Sequence, residues 1–250
     1  MALLRTEKLT KAFGALTAVN EVSLEVAPGS LHSVIGPNGA GKTTFFNLLT
    51  GQFPPTSGRI IFDGRDITGT PAHRIAHLGI ARSFQRTNIF PALSVLTNVW
   101  VSAFARHETW RGLMWRPAVG YPELRERALR ALEEVGLADK ERVPAREISH
   151  GEQRQLELAI ALAASPRLLL LDEPAAGLSP EETRRMVHLV EGLKGRYTIL
   201  LIEHKMDVIM SISDRISVMH FGSLIAEGAP AEIQRDPEVR RAYLGGMPTR

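Results

Sequence analysis

The sequence predicts an α/β protein with an antiparallel β subdomain beside a parallel-sheet core and an α-helical subdomain inserted into it. Three observations predict it. A stretch of apolar–polar alternation and a hairpin signal stand in the first 70 positions, helical spacing marks the middle third, and two short unbroken apolar runs follow.

In Val22-Ser23-Leu24-Glu25-Val26 the alternation is clean, with Pro28-Gly29 as a turn after it. Arg59-Ile60-Ile61-Phe62 then meets Asp63-Gly64, a hairpin signal. Leu96, Val99, Trp100, Ala103, Phe104 and His107 fall at helical spacing, as do Leu124, Ala128, Ala131, Leu132 and Val135 before Gly136. Leu168 to Leu171 and Ile199 to Ile202 are the unbroken runs, suited to parallel strands covered on both faces. The expected organisation is one domain over 1–228, with its core in 1–90 and 160–228, the helical subdomain in 91–159, and a tail over 229–250. Trp100, Trp110 and Trp115 cluster in the insertion, which suits either a partner surface or packing within the helices.

The chain has 250 residues, 44% of them hydrophobic and 23% charged, proportions that exclude intrinsic disorder and fibrous classes. A formal charge of +3 is too small to imply a dedicated nucleic-acid surface. With no cysteine, disulfide frameworks, thiolate metal sites and thiol enzymes are eliminated. Charge at Arg5 and Glu7 precedes any apolar stretch, and no run approaches the ~18 apolar residues of a membrane span. The expectation is a chain that does not cross a membrane by itself.

Gly36-Pro37-Asn38-Gly39-Ala40-Gly41-Lys42-Thr43 satisfies G-x-x-x-x-G-K-[ST], with Leu31 to Ile35 strand-like before it and Thr44 to Leu49 helix-like after it. Glycines let the backbone curl so that its N–H groups converge on phosphate oxygens, where the helix N-terminus adds positive charge. Lys42 should reach the β- and γ-phosphates, and Thr43 offers a hydroxyl to Mg²⁺. Nucleotide binding follows from this loop.

Asp172 and Glu173 end the first apolar run, and Pro174 stops the strand. They are either solvated acids or, at the ligand edge of an open sheet, a Mg²⁺ partner through water (Asp172) and the group that orients or deprotonates an attacking water (Glu173). Glu203-His204 follows the second run, and His204 is either satisfied at a strand end or directed at a γ-phosphate. Gln85 taken alone is a polar loop residue. Ser149-His150-Gly151-Glu152 fits a capping box that opens a helix, and Gly151 also suits close approach of a second anion; periodicity does not choose.

Ile148-Ser149-His150-Gly151-Glu152-Gln153-Arg154 resembles the Leu-Ser-Gly-Gly-Gln signature of the ATP-binding-cassette ATPases, and the resemblance covers nearly the whole chain. In order run an A-loop aromatic at Phe13, the Walker A loop, a Q-loop at Gln85, the signature, Walker B ending at Glu173, a D-loop at Ala175 to Ser179 and a switch histidine at His204. His150 replaces the first signature glycine, Glu152 stands where glutamine is usual, and Phe13 lacks the hydroxyl of the more usual tyrosine. The pattern is most similar to the branched-chain amino acid transport subunits, down to the ending Pro237 to Gly245.

The resemblance implies a P-loop NTPase (RecA-like) core, ATP and Mg²⁺ as cofactors, and ATP hydrolysis that drives transport. Implied nucleotide contacts are Phe13 on adenine, Gly36, Pro37, Asn38, Gly39, Ala40, Gly41, Lys42, Thr43 and Thr44 on phosphates, and Gln85. Ser149, Gly151 and Glu152 are implied to complete the ATP site of a second cassette, identical or paralogous. Thr43, Gln85 and Asp172 are the implied Mg²⁺ set, with Glu173 and His204 catalytic. Implied partners are integral membrane permeases at the cytoplasmic face and, through them, a solute-binding protein. An importer of urea, amides or another polar solute is the neighbouring alternative, and a soluble cassette acting on nucleic acid or ribosomes a more distant one. Only 64 residues separate Gln85 from Ser149 (149 − 85), too few for the long coiled coil that rival would need.

Overall fold

The structure is a computed structural model that describes residues 1–83, 89–105 and 121–244. Strands β1 (Leu4–Phe13) and β2 (Leu16–Val26) form an antiparallel pair, and β4 (Ser57–Phe62) and the short β5 (Arg65–Asp66) extend it in the order β2-β1-β4-β5. The β4–β5 turn is the predicted Asp63-Gly64, both residues at positive φ, 51° and 74°. Alternation buries Leu4, Thr6 and Leu9 of β1 and Val22, Leu24 and Val26 of β2 on one face.

The second sheet has the order β10-β9-β3-β8-β7-β6. Its parallel strands are β3 (Leu31–Ile35), β6 (Ile80–Ser83), β7 (Leu168–Asp172), β8 (Thr198–Ile202) and β9 (Arg215–His220), while β10 (Ser223–Gly228) returns antiparallel. Every residue of β3, β7 and β8 is buried, so the unbroken apolar runs face protein on both sides. The period of two divides them. Leu168, Leu170, Leu200 and Ile202 join a core with α1 (Lys42–Leu49) and the antiparallel sheet, whereas Leu169, Leu171, Ile199 and Leu201 join the helical insertion. Each fully buried leucine contributes about 1.5–3 kcal/mol, so the centre of this sheet holds both halves together.

A short α2 (Ala72–Leu78) leads into β6. The insertion contains α3 (Val95–Ala105), α4 (Pro122–Glu134) and α5 (His150–Ala163). Helix α5 runs through position 159, the expected subdomain edge, because Leu156, Ala159 and Ala163 stay buried in the same cluster as the sheet. Trp100 stacks on Phe104 at 5.0 Å inside this packing, while Trp110 and Trp115 lie outside the described residues.

Helices α6 (Pro180–Leu193) and α7 (Met206–Ile212) flank β8, and α8 (Pro230–Arg235) and α9 (Pro237–Leu244) end the described chain. Ile233 of α8 and Val239 of α9 pack with Ile35, Ile209, Ile216 and Val218, so the tail is docked on the core. Among the described residues no helix is long and apolar enough to cross a membrane.

Candidate functional site

Strand β3 delivers the phosphate-type loop from the middle of the sheet. A Cβ on Gly36 would sit 2.1 Å from the Met219 carbonyl oxygen, and one on Gly41 2.2 Å from that of Ala18. The two fixed glycines of the motif are thus the places where neighbouring backbone presses on the loop. Gly41 caps α1 in the left-handed region (φ 98°) without a side-chain acceptor, and the first turn holds no acid, so helix N–H groups point outward unneutralised.

Lys42 folds back over the loop. Its Nζ donates to the carbonyls of Gly36 at 2.7 Å and Pro37 at 3.0 Å. Burial holds its ammonium below the usual lysine range, and the nearby Glu173 and Asp172 oppose that fall. A hollow of about 600 Å³ is lined by Asn38 to Thr44 of the loop together with Leu16, Thr17, Ala18, Glu173, His204, Phe221 and Gly222.

Opposite the loop, β7 ends in Asp172, whose side chain is fully buried. Arg82 of β6 donates through Nη2 to Asp172 Oδ2 at 2.5 Å and through Nη1 to Asn47 Oδ1 at 2.6 Å. Burial pushes the Asp172 carboxyl above the ordinary range, with Arg82 pulling back. Glu173 takes a left-handed φ of 53°, which turns its side chain off the strand, and Oε1 lies 2.7 Å from His204 Nε2. Magnesium fits this donor set on one observation: Asp172 Oδ1 is buried with no hydrogen-bond partner, an oxygen free for a metal-bound water.

The loop, Glu173 and His204 are therefore brought together, and Asp172 stands beside them. Ser149, Gly151 and Glu152 are not. They line a separate hollow of about 280 Å³ with Leu178, Glu182 and Arg185. There the capping box is complete: Ser149 Oγ accepts from Glu152 N–H at 3.3 Å, and Ser149 N–H donates to Glu152 Oε2 at 2.8 Å. Lys140 pairs with Glu152 Oε1 and holds that carboxyl below the usual range. Phe13 is half-exposed at the end of β1, edge-on to Phe53 at 5.4 Å, and does not line the loop's hollow. Gln85 lies outside the described residues.

Arg82 and Lys140 escaped sequence reasoning, as did Phe221, an exposed aromatic at φ 45° beside the loop, and Glu203 was named there without a role of its own. A lone arginine in the otherwise apolar start of β6 and a glutamate directly after β8 were the available signals.

Fold and site together define a nucleotide-binding α/β protein with a phosphate-loop cradle. A family model described as ABC transporter matches residues 19–176, and one described as branched-chain amino acid ATP-binding cassette transporter matches 223–247. The chain belongs to the ABC transporter family. The high-affinity branched-chain amino acid transport ATP-binding protein LivG of Salmonella typhimurium is 43% identical over 97% of this chain and 98% of its own. BraF of Pseudomonas aeruginosa, with the same description, is 43% identical over the same shares. Among solved structures, the ADP conformation of MJ1267, an ATP-binding cassette of an ABC transporter, has a TM-score of 0.86 at 32% identity, covering 98% of this chain and 99% of that one. The dimeric post-hydrolysis cassette MJ0796 bound to ADP and Pi has a TM-score of 0.76 at 25% identity, over 91% and 98%.

Proposed function

We propose that this chain is the ATP-hydrolysing subunit of an importer for branched-chain amino acids, bound through integral membrane permeases to the cytoplasmic face of the membrane. The observation that carries the hydrolytic part is the single hollow in which Lys42 and Thr43 face Glu173 and His204. The cargo rests on the near-full-length likeness to LivG and BraF and on the tail match at 223–247.

Loop N–H groups and Lys42 grip the β- and γ-phosphates, while Phe13 offers a face to adenine. Thr43 and Asp172, with Gln85, would hold Mg²⁺, which would supply positive charge against the phosphates. Glu173 takes the proton of the attacking water, and His204 orients the γ-phosphate end. Ser149 and Gly151 lie away from their own chain's loop, which supports their serving the loop of a second cassette, with Glu152 bracing the cap between them. Closing and reopening that pair moves the permease because its two states bind the permease differently.

The test is uptake of labelled leucine into vesicles carrying the chain, its permeases and a binding protein. ATP-dependent uptake that disappears with Glu173→Gln is expected. Phosphate release without uptake of leucine, but with uptake of urea or an amide, would reassign the cargo. Nucleic-acid binding that survives high salt would favour the soluble rival.

A further inference from the structure

Glu203 is a buried acid, only 4% exposed, to which the mechanism above assigns no task. It sits at the point where the sheet stops holding its own strands together. Strands β7 and β8 remain paired until the Glu173 N–H donates to the Ile202 carbonyl at 2.9 Å. The register ends at Asp172 and Ile202, and the next N–H on the β7 side that faces β8 is that of Ala175, two residues on. Glu203 supplies the next connection from its side chain. Its Oε1 accepts from the Ala175 N–H at 3.1 Å. Its Oε2 accepts from the His204 N–H at 2.8 Å and the Lys205 N–H at 3.4 Å.

One carboxyl group thus ties the backbone just past Glu173 to the backbone of His204. A second tie lies on the other side of the histidine, where Lys205 Nζ donates to Thr183 Oγ1 of α6 at 2.8 Å. His204 itself is 41% exposed in its side chain, and Glu173 leaves its strand at a left-handed φ. Neither position is fixed by burial alone, yet their side chains meet at 2.7 Å.

The geometry points to Glu203 as a positioning residue for ATP hydrolysis, its carboxyl group fixing the segment that carries His204 against the segment that carries Glu173. The inference rests on the roles proposed above for those two residues. It also links the start of the stretch from Ala175 to Ser179 to the backbone of His204. The chemistry requires two acceptor oxygens. Glutamine has one oxygen and an NH₂ group, so in either orientation it directs N–H donors at backbone N–H donors.

Steady-state phosphate release by the full-length chain with MgATP tests this in four forms: the natural protein, Glu203→Gln, His204→Ala and the double variant. Glu203→Gln should lower kcat by roughly tenfold to hundredfold, since small misplacements of reacting groups carry losses of that order. KM and nucleotide binding should change by less than about twofold, because Glu203 touches nothing of the phosphate loop. In the His204→Ala background the same substitution should cost little more, because the group it positions is already gone. Unchanged kcat in Glu203→Gln, or an equal loss in both backgrounds, would overturn the assignment. Should the glutamine variant not fold, Glu203→Asp decides: a shortened carboxyl should lower kcat at unchanged KM, and full activity would count against the idea. Glu173→Gln is the control that separates the two layers, for normal hydrolysis there removes the reading of the site itself, whatever Glu203 does.

Discussion

Arg82→Met removes the guanidinium that faces Asp172 and keeps most of the side chain's volume against Phe46, whose ring centroid lies 5.7 Å from the guanidinium carbon. The side chains of the pair are 8% and 0% exposed, so solvent does little to soften the loss. Stranding one member of a buried ion pair costs about 3–5 kcal/mol. The bond to Asn47 Oδ1 goes as well, for about 1 kcal/mol more. The deficit has a pH signature. Asp172 already titrates above its ordinary value of 3.8 because of burial, and loss of Arg82 drives it higher. A carboxyl raised in the folded state stabilises the fold through its protonated form, fully below the unfolded pKa and not at all once pH passes the folded one. The variant should therefore lose most stability at neutral pH and recover part of it as pH falls through the raised value. Urea unfolding at neutral and mildly acid pH, with and without Asp172→Asn, measures this. A neutral-pH loss under about 1 kcal/mol, or an equal loss in the Asp172→Asn background, would refute the reasoning.

Glu173→Gln should bind ATP normally and hydrolyse it about 10²–10⁴-fold more slowly, the usual contribution of a general base; phosphate release and gel filtration with ATP would show slow turnover and accumulated dimer. Gly41→Ala should destabilise the chain by about 1–3 kcal/mol and weaken nucleotide binding, since the new methyl meets the Ala18 carbonyl and the left-handed backbone; thermal melts and nucleotide titration read both. Ser149→Ala should cost about 1 kcal/mol through loss of the α5 cap. It should also slow hydrolysis at high protein concentration while leaving binding of ATP to the isolated chain unchanged, which equilibrium binding beside phosphate release would show.

What the sequence made legible was what is local. The bend around Lys42, the capping box at Ser149 and the turn at Asp63-Gly64 are specified within eight residues or fewer, and all three stand in the structure where spacing put them. The two leucine- and isoleucine-rich runs were equally clear, because a strand buried on both faces has no room for polar residues. The helical insertion was legible as helices, but not its edge: position 159 looks like a boundary only until the packing of Ala159 and Ala163 against the sheet is seen.

The roles that escaped notice share a cause. Arg82 reaches Asp172 across 90 positions, from a strand whose register sets Arg82 opposite Leu170 and so two residues diagonal to the acid. Glu203 and Ala175 meet across 28 positions, just past the step where the pairing of β7 with β8 ends. Periodicity shows which face a residue occupies, but it says nothing about which strand lies next to which, and strand order here runs β3-β8-β7-β6 against the order of the chain. A motif therefore reports the groups expected to touch nucleotide, while the groups that hold them in place become visible only once the sheet is assembled. Asp172 carries both kinds of information. Its position at the end of an apolar run was readable, and its pairing through Oδ2, with Oδ1 left unpartnered, was not. That split between a fixed oxygen and a free one is what suits it to a metal-bound water, since the arginine restrains the carboxylate without using both of its oxygens.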